Sequence, residues 1–306
     1  VLERVVLAEP AAGQVRVRHT AIGLNYIDTY VRAGLYPAPM PITLGMEAAG
    51  IVEAVGEGVS ALKPGMRVAY QGVMGSYASH ANIPAGRALI LPDEVSDETA
   101  AALTLKGLTA WMLLFEIART APGDEVLVWA AAGGVGAALV PWARALGARV
   151  IGVVSSAEKA AIAKGYGCNA VILSSEDVAA RVRELTEGRG VKTSFDGVGK
   201  TSAEASLKSL MTRGLFISFG NASGPVDPIA PLRLSQGGSL FMTRPTLFHY
   251  TATDADLARG AAALFGAIAS DTLKADIGQR FALKDAAMAH SALEARRTVG
   301  ASLLLP

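Results

Sequence analysis

The stretch Glu125-Val126-Leu127-Val128-Trp129-Ala130-Ala131-Ala132-Gly133-Gly134-Val135-Gly136 decides the fold. Its first five residues form a short apolar run, the texture of a strand buried on both faces of a parallel sheet. Pro122-Gly123-Asp124 ahead of it is a turn, and the residues after it read as a helix to about Leu146. On the spacing G-x-G-x-x-G, Ala131, Gly133 and Gly136 take the three positions. The second glycine lets backbone approach a pyrophosphate, and the third lets helix and strand pack closely. The helix start then offers free N–H groups and partial positive charge to that phosphate. Ala131 departs from the strict pattern, and so loose a cluster is equally an ordinary tight turn. Its place between a buried strand and a helix favours the dinucleotide reading, with Gly133 and Gly136 at the second and third positions. Pro141 lies inside the helix and should kink it.

Further strand-and-helix units follow. Strands are expected at 149–154, 170–173, 193–196 and 214–218, separated by helical stretches. That alternation implies an α/β fold with a doubly wound parallel sheet. Before Thr104 the chain is β-rich and punctuated by glycine. Val15-Arg16-Val17-Arg18 alternates as a half-buried strand does, and strands are also expected at 48–56 and 66–70. Residues 107–118 read as an apolar helix. From about residue 248 the pattern is two helical segments and a terminal strand, Ala301-Ser302-Leu303-Leu304-Leu305. That tail is too short to fold alone, so it is expected to rejoin the first region.

The second strand of the parallel unit selects the cofactor. Sites that prefer NAD place an Asp or Glu about 20 residues beyond the glycine turn, where it binds the ribose 2′-hydroxyl. Here the strand tip reads Val154-Ser155-Ser156-Ala157-Glu158-Lys159. Ser155, Ser156 and Lys159 suit the 2′-phosphate of NADPH, a dianion that wants donors and a cation. The plainer reading is a serine helix cap with a solvated lysine; both readings are compatible for one serine. Glu158 is expected to point elsewhere on the helix.

Composition narrows the classes. The chain has 306 residues, enough for two domains, and 51% are apolar. With 28 basic and 27 acidic residues, net charge is +1, which argues against a nucleic-acid surface. The one cysteine, Cys168, excludes an internal disulfide and a Cys-rich metal lobe, and fits a reducing compartment. No 18-residue uninterrupted apolar run points to a membrane span. The opening Val1-Leu2-Glu3-Arg4 carries neither a secretory signal nor Met, so the natural start is expected upstream.

Several segments together resemble the bacterial quinone oxidoreductases and the zeta-crystallin branch of the medium-chain dehydrogenase/reductase superfamily. They are Ala21-Ile22-Gly23-Leu24-Asn25-Tyr26-Ile27-Asp28-Thr29-Tyr30, Gly34-Leu35-Tyr36-Pro37, Leu44-Gly45-Met46-Glu47-Ala48-Ala49-Gly50, Lys106-Gly107-Leu108-Thr109, the glycine turn, Ser218-Phe219-Gly220-Asn221 and Thr243-Arg244-Pro245. The resemblance implies a GroES-like catalytic domain in 1–108 and 248–306, a Rossmann domain in 109–247, bound NADPH, a cytoplasmic enzyme and a homodimer. It implies that Asn25, Tyr30 and Tyr36 line the nicotinamide and acceptor site, that Thr109 touches the cofactor, and that Gly134 and Val135 touch the pyrophosphate. Phe219, Gly220 and Arg244 would hold its nicotinamide half, and Arg296 would reach its adenosine phosphate. A family tyrosine near the adenine has no counterpart around Leu173-Ser174-Ser175, where one residue is missing; Ser174 is left as the contact. Read without the family, Tyr30 and Tyr36 are packing tyrosines and Arg244 is a surface arginine.

Zinc-containing members of the superfamily have Cys and His where this chain has Asn25 and Met46. An amide and a thioether are poor partners for Zn²⁺. His19, His80, His249 and His290 are scattered without ligand spacing, so no metal is expected. An acceptor that needs no Lewis acid, a quinone or activated enone, is then the expected substrate. Tyr30 or Tyr36 would donate to the developing oxyanion while Asn25 orients it. Two other functions fit the same fold: an enoyl or alkenal C=C reductase, and an NADPH-binding structural or RNA-binding protein of the crystallin type.

Overall fold

The computed structural model describes residues 3–306. Val1 and Leu2, the start of the segment read for a signal, lie outside the described residues. In chain order the strands are β1 (Gln14–Leu24), β2 (Glu47–Val55), β3 (Arg67–Gln71), β4 (His80–Pro84), β5 (Leu89–Ile90), β6 (Glu125–Trp129), β7 (Arg149–Val154), β8 (Ala170–Leu173), β9 (Val191–Asp196), β10 (Leu210–Ser218), β11 (Phe241–Thr243), β12 (Ile277–Ala282) and β13 (Ala301–Leu305). They form two sheets in two compact units. One unit runs through Leu108 and resumes at Thr251–Pro306; the other is Thr109–Tyr250.

In the first unit the sheet order is β12-β13-β1-β2-β3-β5, with β4 also paired to β1. β1 alternates buried and more open positions until Ala21, then stays buried to Leu24. Its end pairs antiparallel with β13, Ile22 opposite Leu304, so the last residues of the chain do rejoin the first region. β12 is a strand the sequence pattern did not suggest. It is a sheet-edge strand that alternates half-buried with exposed residues and contains Gly278, so no apolar run marks it.

The second unit holds a six-stranded parallel sheet in the order β11-β10-β9-β6-β7-β8. Numbered from β6, the reversed list reads 3-2-1-4-5-6, the doubly wound dinucleotide-binding order. Leu127, Trp129, Ile151, Val153 and Phe216 share its core. The helix after the glycine turn spans Gly136–Ala145 without interruption, with Pro141 inside it. The helix expected from 107 begins earlier, at Asp97. Ser96 accepts from Thr99 N–H, and Asp97 and Glu98 occupy the first turn, both favourable at a helix start. After Trp111 it widens into a π-helical stretch, Met112–Ile117. Residues Asp97–Ile117 are long and apolar enough to cross a membrane, but 78% of their most apolar window is buried, as in a core helix.

The alanine at the first motif position has a structural counterpart. A Cβ on Gly152, in β7, would come 2.9 Å from Ala131 Cβ and 2.7 Å from Cys168 Sγ. The bulk absent from residue 152 makes room for bulk at 131. Gly152→Ala should therefore cost about 1–3 kcal/mol of unfolding free energy through overpacking. Adding Ala131→Gly should recover part of the loss, since Cys168 still obstructs. Urea unfolding of the three proteins checks this; additive losses would break the exchange.

Candidate active site

In the second unit the expected cofactor residues gather at the carboxyl ends of the strands. The turn after β6 begins with Ala130 in the left-handed region (φ 52°). Gly133 N–H donates to Ala130 O at 2.8 Å. Gly134, Val135 and Gly136 have N–H groups with no backbone acceptor among the described residues. A Cβ on Gly136 would sit 2.4 Å from Ala131 O, so only glycine allows this strand-to-helix approach. Unmet donors on a glycine turn at a helix start fit a pyrophosphate.

Ser155 is exposed and Ser156 half-buried at the tip of β7. Ser156 caps helix Ala157–Gly165, its Oγ accepting from Lys159 N–H at 3.4 Å. The expectation for Glu158 needs correction. Its carboxylate does not turn away but takes a hydrogen bond from the Ser156 hydroxyl, which holds it below the usual glutamate range. The two are near neighbours at a helix start, where N–H groups attract a carboxylate. Glu158 is fully exposed, so a stronger anion can displace it. Ser174 is exposed just past β8, with its N–H on Val154 O.

The loops after β9 and β10 are knitted together. Asp196 ends β9 and is buried. Its Oδ1 accepts from Val198 N–H, Gly199 N–H and Ser202 Oγ, and its Oδ2 from Ser206 Oγ. Phe219 N–H donates to Asp196 O, and a Cβ on Gly220 would lie 2.4 Å from Gly197 O. Phe219 and Gly220 are thus held by a loop whose anchor, Asp196, the sequence reading missed. Arg244 follows β11 and is exposed, donating to Pro245 O at 3.2 Å. Thr109, in helix Asp97–Trp111, is half-buried.

In the first unit, Asn25 precedes helix Tyr26–Arg32. Tyr30 and Tyr36 meet edge to face, ring centroids 5.3 Å apart, and the Tyr26 ring lies tilted at 6.1 Å from Tyr30. Tyr36 N–H donates to Tyr30 O. Arg296 is exposed, with positive φ, after helix Ala286–Glu294, and its charge acts on Tyr26. The expected set therefore divides: Asn25, Tyr30, Tyr36 and Arg296 belong to the first unit and the rest to the second.

Beneath Asn25 lies a buried polar cluster. Glu47 is fully buried. Its Oε1 accepts from Leu105 N–H at 2.5 Å; its Oε2 accepts from Asn25 Nδ2 at 2.8 Å and Lys106 Nζ at 3.2 Å. A carboxylate only accepts, so the Asn25 amide must turn its NH₂ toward it. A Cβ on Gly23 would strike Glu47 Oε2 at 2.1 Å, which explains the glycine of Ile22-Gly23-Leu24. Asp28 accepts from Asn25 N–H at 2.9 Å and from Tyr77 Oη at 3.0 Å, both on Oδ2. Tyr77 Oη also meets His290 Nε2 at 2.9 Å, and His290 Nδ1 meets Arg32 Nη1 at 2.9 Å. Guanidinium only donates, so His290 Nδ1 accepts, Nε2–H donates to Tyr77, and Tyr77 donates to Asp28. Among the described residues no group of three His, Cys, Asp or Glu is arranged to hold a metal.

The alcohol dehydrogenase GroES-like domain model matches residues 11–93, and the zinc-binding dehydrogenase model matches 134–293. The quinone oxidoreductase of Salmonella typhimurium is 49% identical over 304 residues, covering 98% of this chain and 93% of the relative. The chain belongs to the quinone oxidoreductase family of the medium-chain dehydrogenase/reductase superfamily. The crystal structure of Escherichia coli quinone oxidoreductase complexed with NADPH superposes with a TM-score of 0.97 at 46% identity, covering 99% of this chain and 95% of that one. A 2-haloacrylate reductase from Burkholderia sp. is 43% identical, covering 100% of this chain and 95% of the relative. The family model is named for zinc, yet this quinone oxidoreductase family member presents Asn25 and Met46 at the positions read above as poor in metal donors.

Burial pushes the Asp28 carboxyl up to about 7, against the opposing pull of Asn25 N–H, the Tyr77 hydroxyl and Lys106; Glu47 adds to the rise. The raised group favours the protonated native state. Its stabilising effect is complete below the unfolded value near 4 and is lost as pH rises to about 7. Asp28→Asn keeps the acceptor and removes the titration. The unfolding free energy of the native protein should fall relative to Asp28→Asn between about pH 4 and 7, by on the order of a few kcal/mol. Urea titrations across that range check it; a constant difference between the two proteins would remove the protonation account.

Proposed function

We propose that the protein is an NADPH-dependent quinone oxidoreductase of the cytoplasm. The observation that carries the reading is near full-length similarity to quinone oxidoreductases, one of them solved with NADPH. In this reading residues 109–247 bind the cofactor, and 1–108 with 248–306 form the catalytic domain. The N–H groups of Gly133, Gly134, Val135 and Gly136 hold the pyrophosphate. Ser155, Ser156 and Lys159 hold the 2′-phosphate, displacing Glu158. Ser174 lies beside the adenosine, Phe219, Gly220 and Arg244 hold the nicotinamide half, and Thr109 contacts the cofactor. Arg296 reaches the adenosine phosphate.

When bound, NADPH supplies the hydride. The chain's own residues orient the acceptor. Tyr30 and Tyr36 present an aromatic pair against which a planar quinone ring packs, and a tyrosine hydroxyl donates to its oxygen. Asn25, its amide fixed by Glu47, sets the side of the site from which a ligand hydrogen-bonds. The donor set is an amide and a thioether rather than thiolate and imidazole, and this supports an acceptor electrophilic enough to react without Lewis-acid help.

Cys168 is the one cysteine and can form no internal disulfide, which supports a reducing compartment. Phe241, on edge strand β11, and Leu232 are 60% and 66% exposed, which supports a homodimer through that edge. The 2-haloacrylate reductase relative favours a second reading, reduction of an activated C=C bond. Steady-state NADPH consumption with a panel of quinones and enones separates the two: quinones should be the faster acceptors, and turnover of enones alone would reverse the assignment.

Lys159→Ala should weaken NADPH binding by about 1.5–3 kcal/mol, the scale of a charge-assisted hydrogen bond, while NADH changes little. Fluorescence titration of both cofactors checks it, and equal losses would remove the 2′-phosphate role. Tyr36→Phe should slow single-turnover quinone reduction with NADPH affinity retained. A loss of about 0.5–1.5 kcal/mol would mark a positioning hydroxyl, one of roughly 2.7–4 kcal/mol a preformed oxyanion donor. An unchanged rate would leave Tyr36 as a packing residue.

A further inference from the structure

We propose that Lys106 is a catalytic residue: its ammonium, held by Glu47, donates to the acceptor oxygen as negative charge develops there and then protonates it. This rests on the quinone-reductase reading above. Lys106 is the only charged residue between Glu98 and Glu116, in a stretch that is otherwise alanine, leucine, methionine, threonine, glycine and aromatic. A charge in such a run is costly unless it is paired or used. It is 5% exposed, and its single acceptor among the described residues is Glu47 Oε2 at 3.2 Å. An ammonium carries three N–H donors, so two are unmet. Glu47 is already shared among Leu105 N–H, Asn25 Nδ2 and Lys106 Nζ, and cannot absorb them.

A second unmet valence lies in the same cluster. Asp28 Oδ1 is buried with no hydrogen-bond partner, and Lys106 is near enough for its charge to act on that carboxyl. Buried polar groups without partners are rare, and two together mark a place completed by something else. The missing partner must accept from an ammonium. An oxygen gaining negative charge does so best. Once reduced to a hydroxyl, it also has a hydrogen to donate. Asn25, tied to the same Glu47 oxygen, puts this cluster at a residue already expected to line the acceptor site. The Lys106 side chain keeps 6% of its surface open, enough for one ligand atom and too little for bulk water to screen the charge.

The chemistry balances. The hydride brings two electrons and one hydrogen to the quinone, leaving negative charge on a quinone oxygen. A Lys106 N–H bond breaks, an O–H bond forms, and the oxygen ends as a hydroxyl. The neutral amine regains a proton from water. Each turnover converts one quinone, one NADPH and one proton into one hydroquinone and one NADP⁺.

The test uses full-length protein and Lys106→Gln, whose amide still donates to Glu47 but carries no charge. Single-turnover NADPH oxidation is measured with electron-poor 1,4-benzoquinone and electron-rich tetramethyl-1,4-benzoquinone. The variant should lose on the order of 100-fold with the tetramethyl quinone and less than about tenfold with benzoquinone, which needs less help, while its NADPH affinity stays within about twofold. No loss, or the same loss with both, overturns the proposal, since a merely structural lysine would not distinguish acceptors. A measurement without a variant guards against misfolding. With NADP⁺ bound, the wild-type protein should bind 4-nitrophenol in its ionised, yellow form at a pH where the free dye is neutral. Wild-type protein that leaves the dye's ionisation unchanged also overturns the proposal. Failure of the wild-type protein to oxidise NADPH with any quinone would instead reject the functional reading on which the proposal stands.

Discussion

The buried carboxylate of Glu47 is the constraint on which the candidate site depends. Three donors from two separate stretches of chain converge on it: Asn25 Nδ2 from one, and Leu105 N–H with Lys106 Nζ from the other. A carboxylate removed from water is tolerated only when fully bonded, and each of these bonds constrains a residue near the site. One sets the Asn25 amide, one pins the backbone of helix Asp97–Trp111, and one fixes an ammonium in an apolar helix. Gly23 supplies the space that this convergence requires. The neighbouring run of donors, Arg32 to His290 to Tyr77 to Asp28, extends the same logic outward: each partner's chemistry leaves one choice for the next.

The parallel unit was legible because its signals are local. Strand β6, its turn and the following helix lie within 21 residues of one another, and a buried strand, glycines and a helix start are sufficient to read them. The strand at 170–173 was legible for the same reason. Edge strand β12 was not, because an edge strand with one open face and a glycine carries no apolar signature. Helix Asp97–Trp111 was read too short because its N-terminal signal, Ser96 with Asp97 and Glu98, precedes the apolar stretch that draws attention.

The site was legible in its parts and not in its connections. Asn25, Tyr30 and Tyr36 were accessible through family resemblance, and the glycine turn through spacing. Asp28, Glu47, Lys106, Tyr77 and His290 were not, since apart from the local Asn25–Asp28 contact their bonds span 22 to 258 positions in sequence. One signal was present and passed over: a lone lysine in an apolar helix. Glu158 was misplaced for a different reason. Helical geometry alone directs it away from the strand tip, whereas the serine hydroxyl two residues before it offers a local bond that geometry does not weigh.

Strand β13 stands between β12 and β1, so an interior position of the first unit's sheet is filled by residues 301–305. The consequence concerns the order of events during synthesis. The parallel unit is one unbroken stretch and has all its strands once residue 250 has been made. The antiparallel sheet has Ile22 and Leu24 in place far earlier, yet their partners Leu304 and Ser302 lie downstream of the whole parallel unit and leave the ribosome only after it. Until then the apolar end of β1 stays an open edge, a hazard for pairing with other chains. The nascent first unit must therefore wait, unclosed, while some 140 residues of its neighbour are translated and fold.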